Sequence, residues 1–248
     1  MSGHSKWSTI KRKKGATDAK RGKLFTRLLK EIQVAAKTGG GSTDGNPRLK
    51  TAVAKAKSNS VPNDKIDYAI KRGTGDIEGV DYEEITYEGY GPGGIALLIN
   101  TLTDNKNRTV AEVRHCLSRN NGSVASANSV SYLFKETGVF TLPKEVATED
   151  ELFELALEAG ANDITNDGEY WQITTDVSSF ADVREALEKF GEKLEGEIQQ
   201  IPEILVPVDG DKVSSLMKLI DALDDLDDTQ NVWGNFEIND EDLEKLEV

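Results

Sequence analysis

The chain is poor in the residues that build covalent or metal-held scaffolds. Its 248 residues include one cysteine, Cys116, and two histidines, His4 and His115. One thiol cannot form an intramolecular disulfide or a multi-cysteine zinc site, and two imidazoles cannot build a histidine-rich metal centre. Long apolar runs are also missing. The longest, Ile95 to Ile99, is far short of the ~20 residues of a membrane-spanning helix. No apolar stretch follows the N-terminus, so no secretory leader is expected and the cytoplasm is the default compartment. The length fits one or two ordinary domains, or three small ones, and is enough to bury a substantial core.

What the chain has is charge, unevenly placed. Residues 1–75 hold 18 Lys and Arg against 5 Asp and Glu, a net of +13, whereas residues 76–248 hold 12 against 39, a net of −27. A basic unit joined to an acidic body points to a polyanionic partner for the first and its repulsion by the second. The basic part reads as helical. Leu24, Phe25, Leu28, Leu29, Ile32, Ala35 and Ala36 fall on one arc of a helix starting near Thr17 or Asp18, and Lys20, Lys23, Arg27, Lys30 and Lys37 fall on the other. Gly39-Gly40-Gly41 ends it. Asn46-Pro47 reads as the cap and first position of a second helix. A third follows Pro62, with Gly73 as its stop.

Strand patterns begin at Tyr82. Glu84 to Tyr90 and Ile95 to Thr103 flank a glycine-rich turn, a helix covers Arg108 to Arg119, and Ser129 to Phe134 reads as another strand. Residues 136–202 follow the order βαββαβ. Val139 to Leu142 is a strand, and Thr148-x-x-Glu151 is a capping box. Asn166-Asp167-Gly168 marks a hairpin turn, a second helix carries Val183, Ala186, Leu187 and Phe190, and Glu197 to Ile201 closes the series. This is the ferredoxin-like order. Strand, helix and strand over Ile204 to Val208, Val213 to Leu226 and Val232 to Ile238 are too few for a domain alone, so they are expected to rejoin residues 81–135. The expected fold is thus α+β and multidomain: a basic helical domain over 1–80, a discontinuous α+β domain over 81–135 and 203–248, and a ferredoxin-like domain inserted at 136–202.

Few motifs carry chemistry. Gly89, Gly91 and Gly94 spell G-x-G-x-x-G, but the apolar run that follows reads as a strand, where a dinucleotide fingerprint needs a helix. His115 and Cys116 are helical neighbours whose side chains diverge by ~100°, so they make no nucleophile–base pair by themselves. Asp221, Asp224, Asp225, Asp227 and Asp228 lack the spacing of a calcium loop. Acids at a helix end oppose its dipole, which points to a basic partner. No catalytic residue, cofactor or metal site is therefore expected. The strongest cluster is N-terminal: Lys6, Trp7, Lys11, Arg12, Lys13 and Lys14, extended by Lys20, Arg21, Lys23, Arg27 and Lys30. Cations that track phosphates and a ring that can stack are what nucleic acid needs. Trp7 serves equally well as an anchor of the tail to the bundle. Nothing here specifies base readout.

Gly3-His4-Ser5-Lys6-Trp7, Asp18-x-Lys20-Arg21-Gly22-Lys23-x-Phe25, Gly39-Gly40-Gly41 and Asn46-Pro47-Arg48-Leu49 resemble the YebC family. So do Tyr87-Glu88-Gly89-Tyr90-Gly91-Pro92-Gly93-Gly94 and Asp104-Asn105-Lys106-Asn107-Arg108-Thr109-Val110-Ala111-Glu112-Val113-Arg114. The resemblance runs from Ser2 to about residue 240. Ser42-Thr43 and Val61 depart from the usual Asp-Pro and Met. The resemblance implies three domains and a non-enzymatic protein with no cofactor. Bacterial members are described as probable transcriptional regulators of promoter DNA. A mitochondrial relative is a translational activator, and bacterial members have been linked to ribosomes. The partner implied is thus promoter DNA or, alternatively, the ribosome and its RNA.

Overall fold

A computed structural model describes residues 18–239, 241 and 242. Described helices and strands alternate in a mixed α+β architecture. Three helices come first, α1 (Asp18–Gly39), α2 (Pro47–Ser58) and α3 (Asn63–Thr74). They are followed by β1 (Glu83–Tyr90), β2 (Ala96–Thr103), α4 (Lys106–Arg119), β3 (Ser123–Val124) and β4 (Phe134–Pro143). The remainder is α5 (Glu149–Leu152), β5 (Ala161–Asp167), β6 (Tyr170–Thr175), α6 (Phe180–Ala186), β7 (Glu195–Pro202), β8 (Val206–Val208), α7 (Asp211–Asp224), β9 (Thr229–Gly234) and β10 (Phe236–Ile238). The chain divides into two compact units. Among the described residues, one takes 18–23, Asp81–Lys135 and 200–239 with 241 and 242; the other takes Leu24–Val80 and Glu136–Gln199.

In the first unit, antiparallel pairing of β1 with β2 and of β2 with β9 builds a four-stranded sheet in the order β3-β1-β2-β9. Leu97 and Ile99 on one face of β2, with Ile95 just before it, enter a core with Val113 and Leu117 of α4 and Leu216, Leu219, Ile220 and Leu223 of α7. The β1–β2 connection is a glycine hairpin in which Gly93 and Gly94 take φ of 81° and 77°, a backbone that suits residues without a Cβ. Because β2 follows directly, the glycine string opens no helix and lacks the context of a dinucleotide loop. β8 and β10 form a separate parallel pair.

The expected strand over Ser129 to Phe134 does not form. Residues 131–133 make a tight helical turn instead, and β4 starts at Phe134. The reason is Glu88, whose carboxylate takes the backbone N–H groups of Asn128 (2.6 Å), Val130 (2.6 Å) and Ser131 (3.1 Å). Those groups would otherwise have gone to a sheet ladder.

The second unit contains two separate apolar cores. Leu28, Ile32, Ala35 and Ala36 of α1 meet Leu49, Val53 and Ala56 of α2 and Ile66 and Ala69 of α3. Asn46 fastens this bundle. Its Oδ1 accepts from the N–H of Leu49 (3.1 Å) as the cap of α2, and its Nδ2 donates to the carbonyls of Ala35 (2.8 Å) and Gly40 (2.8 Å). The other core joins Phe140, Leu142, Leu152, Ala156, Ile173, Val183 and Leu187, over a sheet in the order β5-β6-β4-β7. The Thr148 hydroxyl accepts from Glu151 N–H as the cap of α5.

Gly73 does not stop the third helix. It lies inside α3, and Gly75, at φ 84°, is the left-handed cap. A Cβ on Gly73 would stand 2.3 Å from the Gln33 carbonyl oxygen and 2.7 Å from Ala36 Cβ. Gly73 is therefore where α3 meets the α1 backbone. Gly73→Ala gains helix propensity but must push the two helices apart. We expect a net loss of about 1–3 kcal/mol, read as a lower midpoint in urea. An unchanged or higher midpoint would show that the contact yields without cost.

Candidate nucleic-acid interface

The sequence-derived cations are only partly within view. Lys6, Trp7, Lys11, Arg12, Lys13 and Lys14 lie outside the described residues, and Lys20 is placed in α1 by its backbone. Arg21 and Lys23 are exposed and Arg27 is half-buried. Lys30, expected on the outer face, is instead only 8% exposed. Gln33 and Val34 are buried as well, so α1 is enclosed on more than one side between residues 28 and 36. A single-face reading of the helix cannot anticipate that.

Lys23 meets the acidic run at the end of α7. Its ammonium donates to the Asp225 carbonyl (2.7 Å), with the Asp225 carboxylate 3.9 Å away. The acids at this helix end therefore have a basic group of the same chain beside them.

The three helices carry further exposed cations that lie outside the sequence-derived cluster. Lys37, Lys50, Lys57, Lys65 and Lys71 are exposed. Arg48 is exposed too but forks onto Glu31, at 2.7 and 3.1 Å. Lys50 faces Glu188 at 3.9 Å, and Lys55 pairs with Glu197, which holds its ammonium above the ordinary value. Lys57, Lys65 and Lys71 have no ion pair among the described residues. Their signal in the sequence was the plain density of lysine in α2 and α3, spread around each helix without an outward arc of its own.

The Asp104–Arg114 motif has a structural explanation. Asp228, 2% exposed, sits before β9 with its Oδ2 accepting from the hydroxyls of Thr109 (2.7 Å) and Thr103 (3.1 Å) and from Arg108 Nη2 (2.6 Å). Arg108 also reaches Asp104 at 2.7 Å. These hydrogen bonds, that of Asp228 first, raise the Arg108 guanidinium above its ordinary value. Asn105 caps α4 by accepting from Arg108 N–H (3.1 Å). Burial, helped by the Asp228 charge, pushes the nearby Tyr87 hydroxyl up. The motif thus clamps the start of α4 to the end of β2 and leaves Lys106 and Asn107 exposed.

Cys116 is buried on α4, and burial pushes its thiol up. That is the opposite of what a nucleophilic cysteine needs. His115 is its exposed neighbour. Among the described residues, no group of three or more His, Cys, Asp or Glu is placed to hold a metal ion, and no helix is long and apolar enough to cross a membrane.

Two family models match the chain. Residues 5–76 match the TACO1/YebC protein N-terminal domain, and residues 82–236 match the TACO1/YebC second and third domain. A probable transcriptional regulatory protein of Geobacter sulfurreducens is 56% identical over 247 residues, covering 99% of this chain and 100% of that protein. A protein of the same description from Geotalea uraniireducens is 52% identical over 247 residues, with 99% and 100% covered. Among solved structures, a conserved hypothetical protein of Aquifex aeolicus superposes with a TM-score of 0.83 at 42% identity, over 90% of this chain and 93% of that one. With both models covering most of the chain and its relatives matching end to end, this protein belongs to the TACO1/YebC family.

Proposed function

We propose that the protein is a non-enzymatic, cytoplasmic regulator of transcription that holds promoter DNA through its basic N-terminal part. The observation that carries this reading is the charge division, +13 over residues 1–75 against −27 over the rest. Exposed cations on α1 to α3 and relatives described as probable transcriptional regulatory proteins support it. The cations contact phosphates and so position the protein without reading sequence. Lys6, Trp7, Lys11 to Lys14, Lys20, Arg21, Lys23 and Arg27 remain the proposed contacts; Lys30 is left out because of its burial. The acidic remainder repels nucleic acid and recruits a basic protein partner.

We divide the chain as the sequence divides it, into a helical domain over 1–80, an α+β domain over 81–135 and 203–248, and an insertion at 136–202. The sheet order β5-β6-β4-β7 over the succession βαββαβ supports a ferredoxin-like reading of the insertion.

Reversal of charge at Lys20, Lys23 and Arg27 tests the reading. With about six phosphate contacts, the slope of log K on log salt for duplex DNA starts near −5 and should fall in magnitude by about 2.7 on losing three. Affinity at low salt should drop about tenfold or more, for every sequence alike. An unchanged slope would sink the proposed face. Comigration with ribosomes on a sucrose gradient, abolished by the same reversal and without crosslinking to promoter DNA, would replace the reading with that of a ribosome-bound translation factor.

A further inference from the structure

The stretch that follows β4 carries apolar side chains that its core does not use. Leu152 and Ala156 enter the core with Phe180 and Val183 of α6, and Leu155 and Ala159 pack against it. Those four positions, at helical spacing, are enough to turn one face of residues 149–159 inward. Phe153 and Leu157 stand outside that set and remain 39% and 41% exposed. They are four residues apart, so they share one side of the helix. The stretch Phe153–Leu157 is a π-helical turn, a local form that recurs at functional sites.

Val177 extends this ridge. It is 40% exposed, at the start of the tight turn Val177–Ser179 that leads into α6. That turn is held against the end of the preceding helix. The Thr175 hydroxyl donates to the Gly160 carbonyl at 3.0 Å, and a Cβ on Gly160 would stand 3.1 Å from Ser179 Oγ. Val177 is thereby brought to the same end of the helix as Leu157. Apolar side chains scattered singly are normal on a surface, whereas a cluster rimmed by polar groups marks a face that another molecule covers.

Charge says what covers it. Residues 148–160 hold five acids and no cation, and residues 176–186 hold three acids and one cation, Arg184. Arg184 is half-buried and reaches toward β7, where a Cβ on Gly196 would lie 3.4 Å from its Nη1. Glu151 is paired with Lys189. Glu149, Asp150, Glu154, Glu158, Asp182 and Glu185 are exposed and have no ion pair among the described residues. An apolar ridge among unpaired carboxylates repels phosphates and anionic lipid. Set against the same face of a second copy, it would oppose acid to acid. Its complement is a cationic segment with one apolar side. A helix supplies that directly, because residues at i, i+3 and i+4 line one face while Lys and Arg on the flanks reach the acids.

We propose that the ridge of Phe153, Leu157 and Val177 is the docking face for a basic amphipathic helix of another protein. The inference rests on the reading of the acidic remainder as the part that recruits a basic partner, and it gives that recruitment a place and a form. Phe153 is the anchor, since aromatic side chains at the centre of a contact carry much of its energy. Glu154 and Glu158 steer the cations and fix the register.

The test uses the full chain and a fluorescently labelled synthetic peptide of leucine and lysine at helical spacing, about 18 residues long so that it can hold a helix. A peptide of the same composition with its leucines dispersed is the control. Anisotropy reads binding, and hydrogen exchange with and without peptide locates it. The amphipathic peptide should bind about tenfold or more tightly than the control, and should slow exchange over residues 150–160 and 176–180. Phe153→Ser with Leu157→Ser should weaken its binding about tenfold or more. Both side chains are partly buried, so a second variant leaves them in place. Glu154→Lys with Glu158→Lys, at exposed positions, should weaken binding by a similar factor and flatten its dependence on salt. Both variants are checked for an unchanged circular dichroism spectrum.

Equal affinity for the two peptides would overturn the helical docking face and leave recruitment by charge alone. Unchanged affinity in both variants, or protection confined to the acids at the end of α7, would overturn the assignment to this ridge with recruitment still standing. No binding of either peptide would overturn the recruitment of a basic partner together with its site, while DNA binding is judged separately by the Lys20, Lys23 and Arg27 reversal. Self-association of the unaltered chain in sedimentation, lost in the serine variant, would overturn the assignment to another protein and make the basic part of a second copy the occupant.

Discussion

Asp228→Ala is expected to destabilise the protein by about 2–4 kcal/mol. The carboxylate is the shared acceptor of two buried hydroxyls, Thr103 and Thr109, and of the Arg108 guanidinium. Each hydrogen bond to a charged acceptor contributes about 1.5–3 kcal/mol. Arg108 is 42% exposed, so water replaces much of its share. The hydroxyls have no such recourse. Without Asp228, the single Thr109 hydroxyl proton turns to Thr103 Oγ1 (2.7 Å) or to the Asn105 carbonyl (3.1 Å), which limits the loss. Urea unfolding followed through Trp233, on β9, reads the effect. Asp228→Asn, which restores one acceptor, should lie about halfway. A loss under about 1 kcal/mol would mean that the Arg108–Asp228 pair is an ordinary surface ion pair.

That network shows which parts of the molecule could be read along the chain. Local chemistry was legible. Asn46 and Thr148 both cap helices where their spacing says they should, and the Asn166–Gly168 turn joins β5 to β6. Each is decided within about four residues. The misread elements are decided by distant ones. Ser129 to Phe134 has the apolar content of a strand, and only Glu88, some forty residues earlier, diverts its N–H groups. Gly73 looks like a stop because a glycine that ends a helix and one that admits a neighbouring helix are spelled alike; the Gln33 carbonyl makes the difference.

The candidate site divides in the same way. Net charge located the basic part, since density needs no geometry. Lys30 was put outward by a periodicity that assumes one buried face, yet α1 is buried on several. Arg108, read in the sequence as part of a recognisable string, proves to be structural, while Arg114 and Arg119 a few residues on are unpaired among the described residues. Only the position of Asp228 separates the two kinds of arginine, and Asp228 is 120 residues from Arg108.

Glu88→Gln is expected to cost about 2–3 kcal/mol at neutral pH and progressively less in acid. Burial alone would push the Glu88 carboxyl up, but the N–H groups of Val130, Asn128 and Ser131 together pull it below its ordinary value of 4.5. The side chain is 8% exposed, so its ionised form is held by these donors in place of water. Glutamine keeps the shape but turns one acceptor into an N–H donor facing N–H donors, and leaves at least one buried group unmet.

The linkage has a definite sign. A carboxyl whose folded pKa lies below its unfolded one contributes stability that is fully present above the unfolded value, near 4.5, and is lost as pH falls through the folded value. The free-energy gap between the unaltered protein and Glu88→Gln should therefore be flat from pH 7 to about pH 5 and narrow below that, as the unaltered protein alone loses its carboxylate. Hydrogen exchange localises the effect. The amides of Val130 and Ser131 should lose protection in the variant, and β1 to β2 pairing should not. Asn128 sits at φ 62°, a left-handed backbone held by its own bond to Glu88, so its amide should be among the first to exchange. A gap that is constant down to pH 3 would mean that the carboxylate charge adds nothing to the loop, and that the 126–131 segment is held by the packing of Val130 and Phe134 against Leu98 and Trp233.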